Sequence, residues 1–568
     1  MEYSILTDTY EKLEETSAKL GKARILSELF SKTPSDKLPK VVLLAVGRVF
    51  PAYSESELGI ATQMMIKAIS KATGFSEKDV ERKFKKTGDL GLTAEECIKS
   101  RKQTILLKKK LTIDNVFENL QKLAFVTGVG SQERKLNLIA ELLASAQPKE
   151  ARYIVRNILQ ELRIGVAEGI IRDAIVKAFL IKDGTSKEEK NEMVKIVEHA
   201  WNVLSDFGVV AKITKEEGIK GLKKVKVQLG RPIQVMLGEK AESIKEVIEE
   251  FEKVAAEYKY DGMRVQIHKK DDKIWVFTRR LENVTKQFPD LIKLCKQGLK
   301  AKECIVEGEV LGINPETGYP LPFQVLSQRI HRKYDIEKIA KEIPIQIHLF
   351  DIVYLEGKSL FDKPFQKRRN ILRTVIKVIP KKFGLAKQLV TDNVKKVEKF
   401  YQEALDAKQE GLFLKVLDSE YVFGRHVGGW YKIKPIMETL DLVIVGATWG
   451  VGSRARWLSS YVLACRDPDT GKFLPCGMMG TGLTEEQFQS MTDKLKELII
   501  NERGRTVILK PKVVVEVGYQ EIQKSPNYES GYALRFPRLI RIREDKGSDE
   551  ADTIERVSKL FKTQGIRG

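Results

Sequence analysis

The chain has 568 residues, 42% of them hydrophobic and 31% charged, with a formal net charge of +21. Such a length predicts about three domains rather than a single core. No run of about 18 apolar residues occurs, which argues against a transmembrane helix, and the acidic opening MEYSILTDTYEKLEE lacks the apolar segment of a secretory signal. An intracellular protein is expected. The positive excess points to a polyanionic partner, nucleic acid before a merely lysine-rich soluble surface, bound with salt-sensitive affinity. Five scattered cysteines (Cys97, Cys295, Cys304, Cys465, Cys476) and five dispersed histidines form no CxxC pair. Neither a zinc site nor a disulfide framework is indicated.

The first third reads as helical. In ARYIVRNILQELRIG, Ala151, Ile154, Val155, Ile158, Leu159 and Leu162 recur at helical spacing, and Gly165 stands where a C-terminal cap is expected. Arg152, Arg156 and Arg163 fall on one stripe of that helix, either a solvated face or a row of phosphate contacts. Gly165 and Gly169 bracket a helix boundary, where free backbone N–H groups can receive a phosphate. Near residue 220 the texture changes, with a break at Arg231-Pro232. Up to about residue 433, short apolar runs such as YKYDGMRVQIH, KIWVFTR, CIVEGEVLG and IQIHLFDIVYL alternate with helical segments, an α+β pattern. Beyond Lys434-Pro435, strand-like and turn-punctuated runs (DLVIVGATWG, SSYVLAC, TVILKPKVVVEVGY, RLIRIRE) predict a small β-barrel with one helix over 484–500. An amphipathic helix carrying Ile554, Val557 and Phe561 closes the tail.

Neither GxxxxGK[ST] nor GxGxxG occurs, so a nucleotide's phosphates would have to meet side-chain cations. EYKYDGMR (257–264) offers Lys259 as a nucleophile beside an Asp261-Gly262 turn. A lysine attacks only when deprotonated, and cationic neighbours such as Arg264, Lys432 and Lys434 would lower its pKa from about 10.4. Attack on the α-phosphorus of a nucleotide would form a phosphoramidate and expel pyrophosphate. Taken alone, KxDG is weak, and an exposed hairpin explains it as well. Further along, Glu307 and Glu309 alternate on a strand, Glu410 precedes Gly411, and Lys432 and Lys434 lie two apart in WYKIK. Carboxylates facing phosphate make sense chiefly as metal or ribose ligands. Phe350 could stack on a base, although core packing is the commoner fate of a phenylalanine. Each residue by itself has an ordinary structural explanation; their ordered occurrence together does not.

That ordered set resembles the ATP-dependent DNA ligases of the archaeal and eukaryotic replicative type. It comprises EYKYDGMR, TRRLENVT (278–285), VEGEVLG (306–312), LFDIVYL (349–355), EGLFLK (410–415), WYKIK (430–434) and SPNYESGYALRFPRLIRIREDK (525–546). RNILQELRIGVAEGIIRDAI (156–175) is similar to the family's helical DNA-binding domain, so the likeness spans essentially the whole chain. The resemblance implies an all-α DNA-binding domain over 1–222, an α+β nucleotidyltransferase (adenylation) domain over 223–433 and an OB-fold β-barrel over 434–568. It implies that Lys259 is adenylylated, that Glu257 meets the adenine edge, and that Arg264 and Arg279 meet ribose and phosphates. Glu309 would lie by ribose and metal, Phe350 would stack on adenine and Glu410 would ligate the metal. Lys432 and Lys434 would hold the α-phosphate. Arg535 and Arg538 would engage the outgoing phosphates of ATP, with Asp545 and Lys546 in a segment that swings toward DNA. In RHVGGWYK, Arg425, the family's further phosphate contact, stands one position further from the WxK motif than is usual. Arg152, Arg156, Arg163, Gly165 and Gly169 would touch DNA.

The cofactors implied are ATP and Mg²⁺, with Mn²⁺ as a substitute. The partner implied is nicked duplex DNA, bound by a monomer. RKQTILLKKKLT (101–112) resembles the family's sliding-clamp segment, with Leu106-Leu107 where an aromatic pair is usual. An RNA ligase or capping nucleotidyltransferase is the runner-up, disfavoured by the helical domain and the long RFPR segment. A non-catalytic DNA-binding adaptor is disfavoured by intact Lys259, Glu309, Glu410 and Lys432.

Overall fold

The computed structural model of the chain describes all residues except 102–109, 331, 333, 425–427, 435–437, 452–453 and 564–568. Two compact units emerge, Met1–Ala404 with Gln409–Ile433, and Leu405–Lys408 with Lys434–Gly568. Among the described residues no helix is long and apolar enough to cross a membrane.

From Tyr3–Glu14 to Phe207–Lys223 the described elements are helices. Their starts are written in the sequence: Ser76, Asp89, Thr112 and Ser186 each accept a hydrogen bond from a backbone N–H of the turn they open. Their inward faces merge into one core that includes Leu6, Phe30, Ile66, Leu120, Ile154 and Ile175. The helix carrying the arginine stripe is shorter than its periodicity predicts. It spans Pro148–Ile158 and stops because Gln160 and Arg163 adopt positive φ (56° and 59°), which no α-helix continues through. Gly165 (φ 62°) therefore does not cap that helix; it leads into the next one, Glu168–Phe179.

The rest of the first unit is built on two sheets. One has five strands in the order Glu239–Lys240, Trp430–Ile433, Gly411–Val416, Val254–Lys259, Gln388–Thr391. The other is centred on Met263–Lys270, Glu303–Ile313 and Ile345–Leu355, edged by Lys273–Thr278. Only Tyr260, Asp261 and Gly262 separate Lys259 from Met263, yet the strands on either side belong to different sheets. The Asp261-Gly262 turn is thus a crossover between sheets, and the alternative of an exposed hairpin does not hold. Gly262 is required there, because a Cβ would stand 2.4 Å from the Val310 carbonyl oxygen.

In the second unit, Leu440–Trp449 pairs with Leu458–Arg466, Thr506–Leu509 and Val514–Gly518, and the last of these pairs with Arg538–Ile542. A bridge between Thr481 and Arg538 brings the sheet back on itself. The expected single helix is Glu485–Lys496, opened by a Thr484–Gln487 capping box. The run TVILKPKVVVEVGY is two strands, broken at 510–513. Helix Ile554–Thr563 seats Val557 in the core.

Candidate active site

Strand pairing decides which residues meet. Residues directly opposite on neighbouring strands, and residues two apart on one strand, share a face. In the five-stranded sheet, Gln388 is opposite Glu257, Glu257 is opposite Phe413, and Phe413 is opposite Lys432. One row of side chains thus crosses four strands. Lys259, two residues after Glu257, faces the same way and stands opposite Gly411. Gly411 has φ 135°, and a Cβ there would lie 2.2 Å from the Ile433 carbonyl oxygen, so the strand can pass this close only with glycine.

Lys259 is mostly buried and forms an ion pair with Glu410, the residue before Gly411. Its ammonium lies 5.6 Å from the centroid of the Phe413 ring. The expected cationic neighbour Arg264 is turned elsewhere. Its guanidinium donates to the Met236 carbonyl (2.6 Å) and to the fully buried Glu307 (2.9 Å), while its Nε has no hydrogen-bond partner among the described residues. Glu307 also accepts from Tyr421 Oη at 3.0 Å. Glu307 and Glu309 therefore have different surroundings: the first is a buried counter-ion for Arg264, the second a half-buried carboxyl. Burial pushes the Glu309 carboxyl up to about 8, against the pull of Lys259 and Arg264 and with the repulsion of Glu410 and Asp261. A carboxyl held this far up, beside a second carboxylate, is suited to receive a cation.

Phe350 lies on the other sheet at a bulge. Glu307 pairs with Asp351 and Gly308 with Leu349, which leaves Phe350 without an opposite number. Bulges re-aim side chains, and Phe350 stands edge-on to Trp430, 5.9 Å between centroids, with the Lys415 ammonium 4.4 Å from its ring. Lys415 is 2% exposed and pairs with Glu257 at 2.6 Å. Glu257, equally buried, further accepts from Gln388 Nε2 at 2.9 Å and has Arg369 at 3.7 Å. A cleft of about 390 Å³ is lined by Leu237, Gly238, Glu239, Lys240, Arg279 and Lys432. Arg279 and Lys432, singled out in the sequence, thus share one cleft with Lys240, which was not. Lys434 follows the strand Trp430–Ile433 instead of continuing it, so the two-apart argument holds for Lys432 alone. Arg425 lies outside the described residues, as do 102–109 of the clamp-like segment. No group of three or more His, Cys, Asp or Glu that could hold a metal occurs among the described residues, so Glu309 and Glu410 would need phosphate or water oxygens to complete a coordination shell.

The arginine stripe of the helical region is not a solvated row. Arg156 is buried between Asp89 (2.9 Å) and Glu14 (2.6 Å), Arg152 pairs with Glu95, and Arg163 reaches Glu161 (2.5 Å) and Asp89 (3.3 Å). The Arg152 and Arg156 pairs each tie one helix to another, so a phosphate would have to displace a carboxylate to meet either arginine, and for Arg156 would have to do so in a largely buried site. The Gly165 carbonyl accepts from Lys22 at 3.3 Å, whereas Gly169 is exposed in the first turn of its helix. In the second unit Arg535 lies 3.6 Å from Glu521 and Arg538 is exposed. Arg543 and Lys546 clasp Asp441 at 2.8 and 2.7 Å, and Arg543 also holds Asp545 at 2.8 Å.

Lys415 was within reach of sequence reasoning, two residues after Phe413 in EGLFLK. Gln388 was not, since only pairing across 131 residues of chain puts it beside Glu257.

The chain matches three family descriptions: "ATP dependent DNA ligase domain" over residues 235–434, "DNA ligase N terminus" over 2–176 and "ATP dependent DNA ligase C terminal region" over 454–546. It is 46% identical over 565 residues to a DNA ligase of Thermococcus onnurineus (strain NA1), covering 99% of this chain and 98% of that protein. A DNA ligase of Nanoarchaeum equitans (strain Kin4-M) is also 46% identical, over 99% of both chains. That of Archaeoglobus fulgidus is 43% identical over 98% of this chain and 97% of the other. The solved structure "Pmar-Lig_PreS3" shares the fold, with a TM-score of 0.56 at 16% identity over 95% of this chain and 99% of that one. A near-full-length likeness of this degree, on a chain whose lysine, carboxylates and cations converge as described, is decisive: the chain belongs to the ATP-dependent DNA ligase family.

Proposed function

We propose that this ligase seals nicks in duplex DNA with Lys259 as its nucleophile, acting in replication, repair and recombination. Lys259 Nζ attacks the α-phosphorus of ATP, an N–P bond forms, and the P–O bond to pyrophosphate breaks. The AMP then passes to the 5′-phosphate of the nick, and the neighbouring 3′-hydroxyl attacks that phosphate and releases AMP. The observation that carries this reading is the shared face of Glu257, Lys259, Phe413 and Lys432, with Glu410 ion-paired to the nucleophile.

In this reading Glu257 and Phe350 meet the base, Arg264 and Glu309 the ribose, and Arg279, Lys432 and Lys434 the phosphates. Arg425, Arg535 and Arg538 join on the phosphates. Mg²⁺, or Mn²⁺ in its place, would be held by Glu309 and Glu410 and would neutralise charge on the phosphate oxygens. Glu410 also orients Nζ, and the largely buried setting of Lys259 keeps water from competing for the phosphorus. Three domains are inferred, 1–222 on DNA, 223–433 for nucleotidyl transfer and 434–568 as an OB-fold. The helical domain would hold duplex through the exposed Gly169 turn and Arg163, without reading sequence. A monomer working inside the cell on chromosomal DNA, with a sliding-clamp contact through 101–112, completes the proposal.

Purified protein is incubated with α-labelled ATP and Mg²⁺, beside Lys259→Ala, then resolved under denaturing conditions. Protein-bound label that is absent from the variant and discharged by nicked duplex into sealed product is expected. Label discharged only by RNA would replace the substrate, and label surviving in Lys259→Ala would remove the nucleophile.

A further inference from the structure

Glu257 carries more hydrogen-bonding partners than a charge-neutral pocket wall requires. Its Oε2 is taken by Lys415 at 2.6 Å. Its Oε1 is taken by Gln388 Nε2 at 2.9 Å, with the Arg369 guanidinium further off at 3.7 Å. Arg369 is itself committed, donating to the carbonyls of Leu349 (2.8 Å) and Ala386 (2.5 Å). Gln388 is therefore the close, uncharged donor to Oε1. On its other side the Gln388 carbonyl oxygen accepts from Arg373 at 3.1 Å. A guanidinium only donates and a carboxylate only accepts, so these two neighbours allow the amide one orientation. Gln388 stands in the same row across the sheet as Glu257, Phe413 and Lys432.

We propose that Gln388 is a positioning residue for base selection: pinned by Arg373, it fixes the plane of the Glu257 carboxylate so that one remaining lone pair meets an exocyclic amino group. This rests on the reading above that Glu257 faces the base. Adenine offers an N6 amino donor where guanine offers an O6 acceptor. A carboxylate fixed in plane rewards the first and repels the second; one free to swing toward Arg369 discriminates less. Gln388 touches neither the nucleotide nor the reacting atoms, and acts only through Glu257.

The test measures self-adenylylation of the full chain with ATP and with GTP, in wild type, Gln388→Met and Glu257→Gln, each first shown to unfold cooperatively. Losing a hydrogen bond to a charged group predicts about a tenfold rise in KM for ATP in Gln388→Met, with kcat nearly unchanged and the preference for ATP over GTP reduced by a similar factor. Gln388→Glu sets a second carboxylate against Glu257 and should narrow the preference further. A folded Gln388→Met with wild-type KM and wild-type preference overturns the proposal if Glu257→Gln loses ATP affinity. If Glu257→Gln is also unchanged, the reading of Glu257 falls and the proposal with it. Should Gln388→Met fail to fold, Arg373→Met removes the outer pin from an exposed position, and an unchanged ATP preference there is equally fatal.

Discussion

Lys259, Glu309 and Arg156 are ionisable side chains that their surroundings must accommodate. The Glu309 carboxyl titrates near 8 when folded, whereas an unfolded glutamate titrates at about 4.3. Between those values the folded chain keeps a proton that the unfolded chain has lost, so Glu309 contributes less and less to stability as pH rises through this window, and no further change follows above it. In thermal unfolding of the ligand-free protein, Glu309→Gln should gain on wild type from about pH 5 to about pH 8 and then hold a constant difference. A difference independent of pH would contradict the assignment. Arg156 gives a prediction of the opposite kind. Replacing it with methionine leaves the buried Asp89 to the more distant Arg163 (3.3 Å) and should cost about 3 kcal/mol of helical-domain stability, read as a lower Tm. The ion pair it makes is structural, so nicked-duplex binding by whatever remains folded should keep its wild-type salt dependence.

At the scale of strands and turns, the close passage at Gly411 makes the firmest prediction. Gly411→Ala puts a Cβ against the Ile433 carbonyl oxygen at a φ that side chains avoid. It should cost on the order of 2 kcal/mol and suppress lysine labelling, because the same displacement moves Glu410 away from Lys259. Unchanged labelling with a lowered Tm would separate the two effects and weaken the positional argument. This is also where the sequence was most and least informative. The helix opened by Thr484 and the core position of Val557 were legible because local chemistry decides them. The bulge at Phe350 was not legible, since an extra residue in one strand is visible only against its partner. The early end of Pro148–Ile158 escaped for a related reason: Gln160 and Arg163 are ordinary helix residues whose left-handed backbone is imposed by what the chain does next. For Arg152 and Arg156 the sequence leaves a solvated face and a row of phosphate contacts open, because nothing local reveals Glu14, Asp89 and Glu95 arriving from other helices.

Over the whole molecule, a charge of +21 sets the terms of DNA binding. If six or more phosphates are neutralised, affinity for nicked duplex should fall roughly a thousandfold between 50 and 200 mM salt, a titration readily followed by anisotropy. A shallow salt slope would mean that the excess charge serves solubility instead. The crossover at Tyr260, Asp261 and Gly262 has a wider consequence. It puts Lys259 on one sheet and Arg264, Glu309 and Phe350 on another, so no single strand sets the distance between the proposed nucleophile and the groups proposed to receive its substrate. The attack distance is a property of how two surfaces are seated on each other, as the gap of a vice depends on its frame and not on either jaw. Substitutions well away from the pocket, wherever they shim that seating, are therefore expected to change the rate of lysine adenylylation while leaving every residue that touches the nucleotide intact.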